Sequence, residues 1–380
     1  MKKTLIAALL GLMTMTATMA QVNFQTMTIT LKNGTVKTYT ASQLDSVRFV
    51  GGEFNSATGV GVKIYVKNAS QSEDYLYSQI TNLVYEANPV DNNVNRNSLD
   101  NSYDESKKMW GLEWPHISNN PSNTTWIVKE STESPQYGVS ISMEWCNDSL
   151  ANRWTCYTIH NGNNETNVSR YEGDFMTETT IPQSYRTKHD DYTGSGYSRG
   201  HLCPSAVRLC SVEQNKHTFS TANIHPQWQS HNAGIWERME TQERKWGGYD
   251  INGDQYSIIC DTLYVVKAAT IGDVTLNGIT SKGVYDTKTS STKTNAHLYV
   301  PKYFYMAFLA RTGNTYKALA FWTEHTNDAQ SGTALSSYVI SIDELERRTG
   351  IDFFCNLPDD IEATVEATTP DLGFWGLSNN

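Results

Sequence analysis

"YSRGHLCPSAVRLCSVEQNKHTFSTANIHPQWQSHNAGIWERMETQER", residues 197–244, is the stretch on which the fold turns. If "GYSRGHLC" is a strand, its side chains alternate, so Arg199, His201 and Cys203 share one side and Gly200 leaves the other side bare for close packing. A guanidinium beside an imidazole raises the cost of protonating it and keeps it a neutral base near neutral pH. "TFSTANIHPQ", from Thr218, is a second strand candidate, ended by Pro226, that would form a hairpin with the first. "HNAGIWERMETQERKWGG" has a helical pattern, with Ile235, Trp236 and Met239 as its buried stripe and Gly247 and Gly248 as its stop. On that helix Asn232, Glu240 and Arg244 lie eight and four residues apart, on one slowly drifting face. A strand, a strand and a helix therefore deliver a base, an amide oxygen, a carboxylate and a guanidinium.

Plainer readings compete for the same residues. Trp236 reads as core, Asn232 as a helix N-cap, and Glu240 with Arg244 as a surface i,i+4 pair. His201, Cys203, Cys210 and His217 could make a zinc site, but the seven positions between the cysteines exceed the usual structural spacing. A Cys203–Cys210 disulfide that stiffens the loop after His201 is the preferred reading, with Cys146–Cys156 and Cys260–Cys355 as the other pairs. His225 and His231 read as surface residues, and "DDYTGSGY", from Asp190, as a solvated loop.

Further out, "MKKTLIAALLGLMTMTATMA", residues 1–20, has two lysines, an apolar run and small residues at its end, the layout of a secretory leader too short to span a bilayer. No later run approaches eighteen apolar residues, and the six cysteines follow the leader, so the mature chain reads as exported and without a membrane span. The net charge is −10, and removal of Lys2 and Lys3 makes it −12. Such acidity excludes a tight passive polyanion binder, which needs Lys and Arg to release counterions, but not an enzyme that touches a few phosphates. Between Tyr185 and Arg244 seven basic residues meet six acidic ones, so this is the least acidic part of the chain.

"MTITLKNGTVKTYTASQLDSVRFV", from Met27, and "VKIYVKNASQSEDYLYSQITNLVYE", from Val62, read as two copies of one strand-rich unit. Ile29, Lys32 and Asn33 return as Ile64, Lys67 and Asn68; Tyr39, Ser42 and Gln43 return as Tyr75, Ser78 and Gln79. The copies are expected to pack together as one β-rich accessory domain over residues 21–86. Residues 87–109, rich in Asn, Asp and Ser, read as a linker, and residues 110–380 as one large α+β domain. Its strand candidates are "YGVSISMEW", "RWTCYTIH", "TLYVVKAATIG", "YFYMAFLAR" and "YKALAFWT"; Ser341 with Glu344 forms a capping box for a helix closed by Gly350.

The run from Tyr197 to Arg244 resembles the DNA/RNA non-specific endonuclease family, of the ββα-metal (His-Me finger) fold with a central antiparallel sheet. That family's motif has Asp-Arg-Gly-His, an Asn-containing strand ending in Pro-Gln, then Asn-x-Gly-x-Trp-x-x-x-Glu and a nearby Arg. This chain carries Arg199, Gly200 and His201, then Asn223, Pro226 and Gln227, then Asn232, Gly234, Trp236, Glu240 and Arg244, with Ser198 in place of the family's Asp. Looser similarity runs from about Trp110 to Leu357. The resemblance implies an exported Mg²⁺-dependent nuclease, with Mn²⁺ as a substitute, whose substrates are DNA and RNA. It implies that His201 is the general base, Asn232 the direct metal ligand, Glu240 a ligand through water, and Arg199 and Arg244 clamps on phosphate. The rival is a surface adhesion or nucleic-acid-capturing protein on the same fold, catalytically impaired through Ser198. The leader and the N-terminal pair, which is similar to short modules on exported Bacteroidetes proteins, imply secretion or a Gram-negative periplasm.

Overall fold

The computed structural model describes residues 24–40, 43–50, 61–87, 96–97, 111–117, 122–271, 274–276, 279–281, 284–285 and 298–378. The leader, and the linker apart from Ala87, Arg96 and Asn97, lie outside the described residues. The chain divides into two units, Met1–Asn92 and Asn93–Asn380.

In the first unit the two sequence copies exchange strands. The first supplies β1 (Phe24–Leu31), β2 (Val36–Thr40) and β3 (Leu44–Val50); the second supplies β4 (Gly61–Val66), β5 (Glu73–Leu76) and β6 (Ile80–Ala87). Each copy's first two strands form a hairpin, but the third strand on that hairpin comes from the other copy, giving sheets ordered β2-β1-β6 and β3-β4-β5. Equivalent residues meet in the core: Met27, Ile29 and Tyr39 from one copy, Val62, Ile64 and Tyr75 from the other. The two tyrosine hydroxyls lie 2.6 Å apart and both donate to Glu73, so the polar ends of the buried rings are satisfied.

The second unit is built on a seven-stranded antiparallel sheet ordered β19-β18-β17-β12-β9-β8-β7. In chain order its strands are β7 (Thr124–Glu130), β8 (Val139–Cys146), β9 (Ala151–Ile159), β12 (Thr262–Ala269), β17 (Tyr303–Thr312), β18 (Thr315–Glu324) and β19 (Val339–Ile340). Four short strands form ribbons outside it: β13 (Val274–Leu276) with β14 (Ile279–Ser281), and β15 (Val284–Tyr285) with β16 (Tyr299–Val300). The central strands are apolar on both sides because both faces are covered. Leu263, Val265, Phe304, Met306 and Phe308 face one core, and Tyr264, Val266, Tyr305, Ala307 and Leu309 face the other.

The first face carries the segment 197–244 and its continuation: β10 (Ser198–His201), α1 (Val212–His217), β11 (Ile224–Gln227), α2 (Gln229–His231), a π-helical turn over Asn232–Trp236 and α3 (Glu237–Trp246). The other face carries α4 (Ile342–Thr349) and α5 (Asp359–Ala367). Of the expected capping box only one half forms: Ser341 Oγ accepts from Glu344 N at 3.2 Å, while the Glu344 carboxylate turns to Arg347 and Arg348. Among the described residues no helix is long and apolar enough to cross a membrane.

The expected disulfides are not formed: all six cysteines are free and buried. Cys156 pairs with Ser142 across the sheet while Cys146 pairs with Ala151, so these two sit four register positions apart, about 13 Å at strand rise and beyond any bridge. Cys260 belongs to the core on one face of the sheet, whereas Cys355 lies against Trp114 in the other core. Cys203 turns into the first core, while Cys210 Sγ faces Gln214 at 3.8 Å. The loop between Cys203 and Cys210 is stiffened by amides instead. Asn223 Oδ1 accepts from Cys203 N and its Nδ2 donates to Cys203 O, both at 2.9 Å, and Asn215 Nδ2 donates to Ser205 O at 2.9 Å. The expected result is six titratable thiols in denaturant without reductant and slow reaction of the native chain; a free-thiol count of four or fewer would contradict this arrangement.

Candidate active site

β10 and β11 pair antiparallel, with His201 opposite Ile224 and Gly200 opposite His225. Only four residues of "GYSRGHLC" are strand, and α1 lies between the two arms of the expected hairpin. Gly200 is bare for a reason: a Cβ there would lie 2.3 Å from the Gln227 side chain, which fills that space. The segment then enters α2, whose helix runs on through Asn232, so Asn232 is not an N-cap; its own N–H donates to Trp228 O at 2.8 Å. The wide turn that follows places Gly234 where a Cβ would lie 2.5 Å from the backbone oxygen of Ala329. Gly234→Ala should therefore cost about 1–3 kcal/mol, as overpacking does, read as a lowered urea midpoint. An unchanged midpoint would show that the 329 loop yields freely.

Ile235, Trp236 and Met239 are buried, as the stripe requires. Trp236 also fixes the neighbouring strand, since its indole donates to His201 O at 3.0 Å. Together these elements surround a cleft of about 350 Å³ lined by Arg170, His201, Asn232, Glu237, Glu240 and Arg244. Half-buried His201 packs against Phe175 and Phe219, at 4.9 and 5.1 Å between ring centres, and its Nε2 has no hydrogen-bond partner. Burial, then the positive charges of Arg170 and Lys267, push its pKa down to about 3. The imidazole is therefore neutral, a base waiting for a proton.

Glu240 Oε1 is buried without a hydrogen bond, and Lys267 Nζ stands 3.6 Å away. Burial pushes the pKa of Glu240 up to about 7, with Lys267 opposing the shift and Glu243 adding to it. Lys267 is fully buried on β12 and holds Glu243 at 2.5 Å, and Glu243 in turn accepts from Tyr157 Oη at 2.5 Å. Arg244 lines the cleft and donates to Thr241 Oγ1 at 3.1 Å.

The structure brings His201, Asn232, Glu240 and Arg244 together; it does not bring Arg199 with them. Arg199 leaves β10 on the same side as His201, yet its guanidinium donates to His189 O and Thr193 Oγ1, both at 2.9 Å from Nη2. Arg170 takes the place in the cleft that the sequence assigns to Arg199. Ser198 lies on the opposite strand face and donates to Gln229 Oε1, so it forms no support behind His201. His225 and His231 are not surface residues: they are 1% and 0% exposed. His225 Nε2 contacts Asn152 O at 2.9 Å, and His231 packs against Phe304 and His325. The zinc reading fails as well, because Cys203 is in the core and His217 Nδ1 is held by Ser140 Oγ at 2.6 Å. Arg170, Glu243 and Lys267 were missed; the lone lysine in the apolar strand "TLYVVKAA" was the available signal.

The model of the DNA/RNA non-specific endonuclease family matches residues 118–360. Among similar proteins, a nuclease of Nostoc sp. is 28% identical over 199 residues, 52% of this chain and 65% of its own. The mitochondrial nuclease EXOG of Mus musculus is 27% identical, covering 54% of this chain and 52% of its own. A nuclease of Serratia marcescens is 25% identical, covering 56% and 72%. Against the first two, the aligned segments thus span between half and two thirds of the relatives' length. A solved chain of the EndoG/EndoGI complex superposes with a TM-score of 0.52 at 16% identity over 69% of this chain and 94% of its own, a likeness of fold.

Proposed function

Since the chain belongs to the DNA/RNA non-specific endonuclease family, we propose that it is a metal-dependent nuclease that cuts DNA and RNA internally, acting outside the cytoplasm after removal of residues 1–20. The observation that carries this reading is the neutral imidazole of His201 at the edge of a cleft with two guanidiniums.

The cleft suits a hard cation. Its donors are oxygens, from the carboxamide of Asn232 and the carboxylates of Glu237 and Glu240. Few protein donors fit Mg²⁺, which keeps most of its water, and Mn²⁺ takes similar oxygen sites. Asn232 would be its direct ligand, with Glu240 acting through water. When bound, the cation offsets charge that builds on the phosphate.

In hydrolysis, the imidazole of His201 takes a proton from water as the water oxygen bonds to phosphorus. The bond from phosphorus to the 3′ oxygen breaks, and that oxygen takes a proton from a second water, leaving a 5′-phosphate and a 3′-hydroxyl. Arg170 and Arg244 hold the non-bridging oxygens, a part the sequence gives to Arg199 and Arg244. Lys267 fixes the Glu240 carboxylate from within through its ion pair to Oε1.

Ser198 and the net charge of −10 favour a rival, a nucleic-acid-capturing protein without turnover. Incubation of the purified chain with plasmid and with RNA, with and without EDTA, separates the two. The expected result is smearing of both substrates that EDTA stops; retention of uncut plasmid on the protein would establish the rival.

A further inference from the structure

The sheet face away from the cleft holds a second concentration of unusual side chains. Two sets of three carboxylates have oxygens within 4.8 Å of one another: Asp343, Glu346 and Glu366, and Asp352, Glu362 and Glu366. Glu366, on α5, belongs to both. It is 6% exposed, and its Oε1 is buried with no hydrogen-bond partner. Glu346, on α4, is fixed by Phe353 N, which donates to its Oε1 at 2.7 Å. The basic residues of α4 do not serve these groups, because Arg347 and Arg348 both turn to Glu344, at 2.6 and 2.8 Å.

Burial and mutual repulsion push the pKa of Glu346 up to about 8 and that of Glu366 up to about 10. A buried carboxylate with no partner is costly, and three chain segments converge to place this one among four more acids. The cost is removed by a proton or by a cation. A proton relieves one carboxyl; a divalent cation on Glu366 takes one set of three directly and reaches the other through water.

We propose that Glu366, with Asp343 and Glu346 on one side and Asp352 and Glu362 on the other, forms a binding site for a divalent cation of the calcium type, separate from the catalytic cleft. The donors are all carboxylate oxygens, without imidazole or thiolate, which favours a hard ion over zinc. Many carboxylates with irregular placement suit Ca²⁺, which takes six to eight oxygens, better than Mg²⁺, which demands a small octahedron. The ion would tie α5 to α4 and to the loop carrying Asp352, on the face where Ile342, Leu345 and Val365 pack. Its function is structural: it holds the C-terminal helices on the sheet.

The test uses the full chain carrying Asn232→Ala, so that binding in the cleft is suppressed, stripped with EDTA and dialysed. Calcium chloride is titrated in by calorimetry and the thermal midpoint is followed. The expected result is one Ca²⁺ per chain with a dissociation constant of roughly 10⁻⁶ to 10⁻⁴ M, in the range of protein calcium sites. The midpoint should rise by several degrees with calcium. Glu366→Gln keeps the shape, and Asp343→Asn changes an exposed side chain that the fold does not need; each should weaken binding at least tenfold and remove the thermal rise. In the background with Asn232 intact, both should cut plasmid in Mg²⁺ at the parent rate. No heat and no thermal shift up to about 1 mM, where weak extracellular calcium modules still bind, would overturn the proposal, as would equal affinity in both variants. A midpoint that responds to pH but not to calcium would mark the cluster as acids sharing protons, and would overturn it too.

Discussion

His201→Ala is expected to slow cleavage of plasmid and RNA by about 100-fold to 10,000-fold, the contribution of a positioned general base. Its effect should fall on kcat, because the imidazole acts on the attacking water while Arg170 and Arg244 still hold phosphate. Near-parent turnover would remove His201 from the reaction. The buried position of the ring adds a second readout. Its pKa is pushed down to about 3, so the native ring stays unprotonated as pH falls through 6.5, where the unfolded ring takes up a proton. The unfolded state then binds more protons, and this group destabilises the parent progressively as pH drops from about 6.5 toward about 3. Alanine abolishes that penalty, so the variant should compare better with the parent at pH 5 than at pH 7 in urea unfolding. The NMR titration of His201 should likewise show no midpoint near 6.5.

The second large effect is expected at a residue that never touches substrate. Lys267→Met should destabilise the chain by about 3–5 kcal/mol, because it leaves Glu243 charged, fully buried and without its partner at 2.5 Å. Adding Glu243→Gln to that variant should recover much of the loss, since the amide can still accept from Tyr157 and carries no charge. A loss below about 1 kcal/mol in the single variant would overturn the role given to this ion pair. Activity should fall in both variants, because Lys267 also lowers the pKa of Glu240, and without it that carboxyl would carry a proton over more of the neutral range.

The parts of the fold that were legible in the sequence are those where periodicity and burial agree. The stripe Ile235, Trp236 and Met239, the five strand candidates and the Ser341–Glu344 cap all correspond to observed elements. Strand alternation also put Arg199 on the side of His201. It could not show where a long side chain ends, and the backbone oxygen of His189 lies within its reach. Arg170 enters the cleft from a loop with no periodicity to read, so only tertiary packing reveals it. The disulfides were inferred from compartment and number, whereas a bridge depends on register, and the sheet places Cys146 and Cys156 too far apart. No periodicity in the sequence marks His225 and His231 as core. They lie where β11 and α2 pack onto β17, beside Phe304.

The crossed pairing of β3 with β4 and of β1 with β6 has a consequence for assembly. A polypeptide carrying a single copy could complete its hairpin only by borrowing the last strand of another molecule, so its folding would depend on its own concentration. Placing two copies in one chain turns that bimolecular association into a unimolecular closure. Deleting either copy should therefore yield a product that dimerises or fails to fold, and not a half-sized version of the same module.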